Sequence, residues 1–282
     1  MIYVSSACLK NNYISETVQQ LAQNGIRNIE LSGGTKYYSG FETDLKDLKE
    51  KYGLNYVCHA YFPPHKKDIV VNLASCDDEV YINSIKHYEE CLEFLKRLEI
   101  DTLSIHAGFM VEIGTDEIGK KLSATKIYNE KKAYDRFVSG YQHIQKLCKE
   151  NGIEVYLENN VLSRENYQVF GNNNYFMMTD SKTICEMRER LDFELLLDYG
   201  HLYVSANTLG IDYEKECMQL EKEAKWFHLS DNDGIKDQHL PLNEESEIVK
   251  QIRRLDIRNK RVTLETSGEI NGILKSIEMI CE

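Results

Sequence analysis

The chain has 282 residues, 42% of them hydrophobic, and a formal charge of −12. That length and apolar content support a sizeable core and exclude a disordered or fibrous protein, and no run approaches the roughly 18 apolar residues a membrane span requires. The acidic balance disfavours bulk attraction to nucleic acid or anionic lipid, although charge alone does not exclude a DNA substrate.

The start, MIYVSSACLKNN, lacks the basic and long apolar regions of a secretion signal, so a cytoplasmic location is expected. Apolar strand-like runs then alternate with helix-period segments. Strands are predicted over 2–7, 28–31, 55–59, 102–106, 154–158, 194–198, 226–229 and 261–265. Each is followed by helical spacing, over 14–24, 41–52, 77–98, 127–151, 181–190, 212–224, 244–255 and 270–281 respectively. Eight βα pairs point to the α/β class and a single (β/α)8 barrel, one domain over 1–282 with no Pro/Gly/Ser-rich linker or close repeat.

Loop lengths support the barrel. Gly25, Gly53 and Gly152 end helices as left-handed caps, and a strand follows each within a few residues. The connections after strands are longer, notably 60–76, 107–126, 159–180 and 230–243. In a parallel barrel the long loops on one face build the site. The eight cysteines are scattered without a C-x-x-C pair and read as reduced, mostly buried thiols.

Six predicted strands end on residues able to bind a metal: His59, His106, Glu158, Asp198, His228 and Glu265. Any one of them could be a hydrogen-bonded histidine or a helix cap. Six at one barrel mouth are better explained by a shared ion, and imidazole mixed with carboxylate suits Zn²⁺, Mn²⁺ or Fe²⁺ rather than Ca²⁺. Asp198-x-x-His201 adds a second imidazole, and Asp237-x-His239 places an acid and a histidine in the loop after His228. His65, His87 and His143 fall in loops or helices and read as solvated or structural, with His65 near enough to His59 to meet a substrate.

The strings HAYFPP with VNLAS, IHAG, LENN, LDYGH, FHLSDNDGIKDQH and LETSG resemble, in this order, the xylose isomerase-like TIM barrel superfamily. That superfamily holds sugar isomerases and epimerases and the related endonuclease IV family, and the likeness runs over nearly the whole chain. For the first group it implies one divalent ion on Glu158, Asp198, His228 and Glu265. The two glutamates would exchange a proton with the carbon beside a carbonyl, and His201 would hydrogen-bond a substrate oxygen. Gly234 stands where some epimerases carry an arginine. For endonuclease IV the resemblance implies three zinc ions, with His59, His106, His201, Asp237 and His239 as further ligands and Glu158 bridging two ions for metal-assisted attack on phosphorus. The 228–237 loop is shorter than in that family, and 61–69 looks like an insertion.

The expected function is a divalent-metal-dependent sugar or sugar-phosphate isomerase or epimerase, with Zn²⁺ or Mn²⁺ as one to three ions. Glu158, Glu265 and His201 are its expected catalytic residues. The alternative is an endonuclease IV-like phosphodiesterase acting on abasic DNA. The stretch 230–247 carries six acids against Lys236 alone, which suits a small carbohydrate partner better than a duplex. A barrel that only binds metal is the least supported class, since no ligand type is missing. Expected substrate contacts are His59, His106, Glu30 and Arg164, with the glycine turn 31–36 a further candidate; Glu30 could equally form an ion pair within the barrel, and the Arg164 loop could equally be a solvated surface loop. A homo-oligomer is compatible with the sequence, and no membrane partner is expected.

Overall fold

A computed structural model describes residues 1–123, 126–255 and 257–281; part of the expected loop 107–126 and the last residue of the expected domain lie outside them. Eight parallel strands close into a barrel in sequence order. They are β1 (Ile2–Ser5), β2 (Asn28–Leu31), β3 (Asn55–Cys58), β4 (Thr102–His106), β5 (Glu154–Glu158), β6 (Glu194–Asp198), β7 (Trp226–Leu229) and β8 (Arg261–Leu264). Helices α1 (Ile14–Gln23), α2 (Phe41–Tyr52), α3 (Asp78–Leu98), α4 (Glu130–Glu150) and α5 (Arg164–Val169) come from the first half of the chain. The second half adds α6 (Ser181–Arg188), α7 (Tyr199–Leu209), α8 (Tyr213–Leu220), α9 (Glu247–Ile252) and α10 (Ile270–Cys281). The expected (β/α)8 barrel is the observed fold.

The helices begin and stop for local chemical reasons. Asp77 opens α3 by accepting the Glu79 and Val80 amides, Asn129 opens α4 by accepting Lys132 N, and Ser163 opens α5 by accepting Asn166 N. These caps satisfy first-turn amides that have no partner inside the helix. The Asn129 cap also moves the start of α4 to residue 130 from the expected 127. Gly53 and Gly210 end α2 and α7 in the left-handed conformation expected of a glycine cap.

Three elements depart most from expectation. The first strand stops at Ser5 because Ser6–Cys8 winds into a 3-10 turn, which the Ser5 hydroxyl caps at Ala7 N. Helix α7 falls where the sequence reads as a site loop. YGHLYVSANTL has no polar face to give a period, because the helix is buried nearly all round. Short α5 likewise lies hidden in an asparagine-rich stretch.

Side chains on alternate strand positions fill the barrel. Tyr3, Val57, Tyr156, Leu196 and Trp226 form an apolar cluster inside it. In β3, β5, β6 and β7 the residue two positions further on is His59, Glu158, Asp198 or His228. Because a strand turns every second side chain to the same face, these residues stand above the apolar layer at the C-terminal mouth. Strand register sets them side by side: His106 pairs with Glu158 and Asp198 with His228. No helix among the described residues is long and apolar enough to cross a membrane.

Candidate metal centre

Glu158 is the hub, fully buried, with each oxygen facing a different pair of imidazoles. Its Oε2 lies 3.5 Å from His59 Nε2 and 3.4 Å from His106 Nδ1. Oε1 lies 3.5 Å from both His201 Nδ1 and His228 Nδ1. These separations exceed a good hydrogen bond, and both oxygens are buried without a partner. Asp198 Oδ2 and His228 Nδ1 are unpartnered in the same way. Unsatisfied buried lone pairs are costly, and four such atoms gathered at one barrel mouth is the condition a cation relieves.

The donors fall into overlapping sets. Ligand atoms of Glu158, Asp198, His228 and Glu265 all lie within 4.8 Å of one another, as do those of His59, His106 and Glu158. Beside them, Asp237 Oδ2 is 3.3 Å from His201 Nε2 and 2.8 Å from His239 Nε2. All nine expected ligand positions therefore meet at one mouth. Nitrogen and carboxylate donors at this spacing fit Zn²⁺, Mn²⁺ or Fe²⁺.

Neighbouring residues hold the donors in place. Asp198 caps α7, its Oδ1 accepting His201 N at 2.6 Å, which leaves Oδ2 free for an ion. The Asn159 side chain links β5 to β6 through Asp198 N and O, and the Asn159 backbone carbonyl lies 2.9 Å from His201 Nδ1. His59 Nδ1 lies 2.5 Å from Ser104 Oγ. Thr263 Oγ1 donates to Glu30 Oε2 and accepts from Trp226 Nε1, and the same Glu30 oxygen is 3.1 Å from His228 Nε2. Such partners fix ring orientation in metal sites. Ser104 and Thr263 were missed in the sequence, but each stands two residues before a mouth ligand, so strand alternation points to both.

Electrostatics show how strongly the cluster demands positive charge. Burial alone would lower His228, yet Glu30, Glu265 and Glu158 hold it well above its ordinary value. Burial would also lower His201, but Asp198 and Asp237 keep it high. Asp237 likewise outweighs burial at His239, raising it to about 9. Burial would raise Glu158 and Glu265, but the surrounding imidazoles hold both well below the carboxylate range. Burial pushes Asp198 up to about 6. The protons these histidines retain balance the carboxylates, a task a divalent ion performs with the same lone pairs.

Above the donors lies a cavity of about 790 Å³, walled by His59, His106, His201, Asp237, His239 and Glu265 among others. Glu30 is fully buried inside the barrel against His228 and Thr263, the internal pairing open to it from the sequence. Arg164 is exposed at the start of α5, beside Ser163, Glu165 and Asn166, which line the cavity. Ser32, Gly33, Gly34 and Thr35 of the 31–36 turn do reach it, as does His65. His87 is buried with Nδ1 2.6 Å from His65 Nε2, while His143 pairs with Glu89 on the surface.

The family model for xylose isomerase-like TIM barrels matches residues 18–282, so the chain belongs to that family. No curated protein matches it in sequence. Among solved structures, a D-tagatose 3-epimerase-like protein aligns with a TM-score of 0.74 at 18% identity, covering 99% of this chain and 95% of that one. A 3-keto-D-glucoside 4-epimerase from E. coli gives 0.65 at 13%, covering 99% and 97%. Endonuclease IV from Thermus thermophilus gives 0.62 at 15%, also covering 99% and 97%. At such identities these likenesses show the fold alone.

Proposed function

We propose that the protein is a divalent-metal-dependent isomerase or epimerase of a small sugar or sugar phosphate, moving a proton on the carbon beside a carbonyl. The observation that carries this reading is the position of Glu265. It belongs to the four-donor cluster and also borders, at 9% exposure, a cavity of small-molecule size. When bound, the ion polarises the carbonyl and stabilises charge developing on oxygen.

In this reading Glu265 takes the proton, since His228 holds its carboxylate ionised. One such base suffices for isomerisation by proton return to the neighbouring carbon. Epimerisation needs a second group on the other face of the substrate, for which the cavity offers His201 and His239. Glu158 is assigned as a metal ligand rather than a second base, because four imidazoles enclose its carboxylate.

A second reading, hydrolysis of a phosphodiester in the manner of endonuclease IV, is favoured by one feature. Glu158 spans two imidazole pairs with one oxygen each, and Asp237 joins His201 to His239. That is a donor set able to hold more than one ion. The acidic 230–247 stretch weighs toward a small substrate.

Incubation of the metal-loaded protein with ketoses, aldoses and sugar phosphates in D₂O separates the two. The expected outcome is deuterium on the carbon beside the carbonyl, lost in Glu265→Gln. Chelator-sensitive incision of abasic duplex DNA, lost in Glu158→Gln and unaccompanied by exchange, would replace this reading with the second.

A further inference from the structure

The chamber has two unlike halves. Its floor is the donor set described above. One stretch of its wall, the roof, is apolar, built by Phe109, Ile113, Ile118 and Leu122 from the connection after β4 and by Phe176 from the connection after α5, and Thr115, Glu117, Lys120 and Lys121 line the cavity beside it. A free sugar presents hydroxyls on nearly every side, and the roof side chains offer them no hydrogen-bond partner, so burying a bare sugar there carries a desolvation cost.

The roof is a built structure. Phe109, Val111, Leu122 and Phe170 form a small core of their own, separate from the barrel core, with Ile113 and Phe176 packed against it. Backbone bonds tie its two loops together: Met110 N donates to Tyr175 O at 2.7 Å and Met177 N to Gly108 O at 3.0 Å. The Asn160 amide donates to the carbonyls of Ala107, Gly108 and Met177. Leu122 N donates to Asn166 Oδ1 at 2.9 Å, fastening the far end of the roof to α5. An apolar wall held this firmly in the same cavity as the donor set is preorganised for a ligand with one polar and one apolar end.

We infer that the substrate is amphiphilic: a polar, metal-facing head bearing an apolar substituent of about one aromatic ring, such as a sugar with an aryl or short alkyl group, which seats under the Phe109–Phe176 roof. The sugar identity of the head rests on the function proposed above; the apolar substituent rests on the roof alone.

Hydroxamates test the substituent without assuming the chemistry, because they anchor on a divalent ion and carry any chosen tail. Calorimetric titration of acetohydroxamate, butyrohydroxamate and benzohydroxamate into the Zn²⁺-loaded protein should show affinity rising along the series. Burial of one ring corresponds to a gain of roughly 30–100-fold over the methyl compound. Phe176→Ala and the more peripheral Ile118→Asn should each shrink that gain at least threefold while the bound Zn²⁺ stays unchanged. Ile118 is only half-buried, so its replacement avoids unfolding the roof core. Equal affinity along the series, binding of none of the three, or a gain that survives both substitutions overturns the assignment. Deuterium exchange on sugars is scored separately, so a failed roof and a failed isomerase reading remain distinguishable.

Discussion

Trp226 and His228 are two residues apart on one strand, as are Thr263 and Glu265 near the end of β8, yet the two layers treat polar atoms oppositely. In the lower layer the Trp226 indole donates to Thr263 and Thr263 donates to Glu30 Oε2, which leaves Glu30 Oε1 as the unpartnered atom there. In the upper layer both oxygens of Glu158, one of Asp198 and a nitrogen of His228 have none. The lower layer is filled for stability. The upper one gives up satisfaction to keep lone pairs available, a stability cost typical of functional sites.

Substitutions should therefore separate binding from folding. The largest effect is expected for Glu158→Gln, which removes the hub of the donor sets. Turnover should fall at least roughly 10³-fold, or about 4 kcal/mol of barrier, with bound metal lost and the circular dichroism of the barrel retained. Trp226→Ala tests the other layer. A fully buried indole replaced by a cavity should cost roughly 3–5 kcal/mol in urea melts while metal per folded chain stays unchanged. Lost metal without lost stability in this variant would erase the distinction between the layers.

A smaller effect is expected for Asp237→Asn, which leaves His201 and His239 without their shared carboxylate. kcat/KM should drop roughly 10–100-fold. In the chelated protein, the His239 titration followed by NMR should move from about 9 toward the ordinary 6.5. The smallest effect lies outside the mouth. Burial, assisted by nearby His65, holds His87 down to about 3, whereas an unfolded chain titrates near 6.5. Between those values the unfolded state binds a proton that the folded state refuses. The associated stability is present above pH 6.5 and lost as pH falls, by up to about 1.4 kcal/mol per pH unit. Urea melts between about pH 7.5 and 5 should show a shallower loss for His87→Gln than for the parent.

The sequence exposed what periodicity and strand ends can carry. β2, β4, β5, β6 and β7 match the predicted spans, and all nine expected ligand positions meet at the mouth, because a parallel barrel sends every strand's C-terminal end to one face. What stayed hidden depends on packing. Helix α7 is buried on nearly every side and so shows no amphipathic stripe. Glu30 looks like a mouth residue because it nears a strand end, but it precedes that end by one position, and its contacts with His228 and Thr263 lie inside the barrel. The asparagine-rich stretch around Arg164 and Tyr167 reads as a loop, yet the Ser163 cap turns part of it into a helix with Arg164 exposed at its first position. The apolar roof joins residues more than fifty positions apart and has no local signature.

The central claim, that unpartnered lone pairs at the mouth exist to hold a divalent ion, is tested most directly by calorimetric titration of Zn²⁺ and Mn²⁺ into chelated protein, with elemental analysis of protein purified without added metal. At least one tightly held ion per chain is expected, with a melting temperature that rises on loading as binding to the folded state requires, and with loss of both in Glu158→Gln. A chain that takes up neither ion, or whose uptake and melting temperature are unchanged by Glu158→Gln, would contradict it.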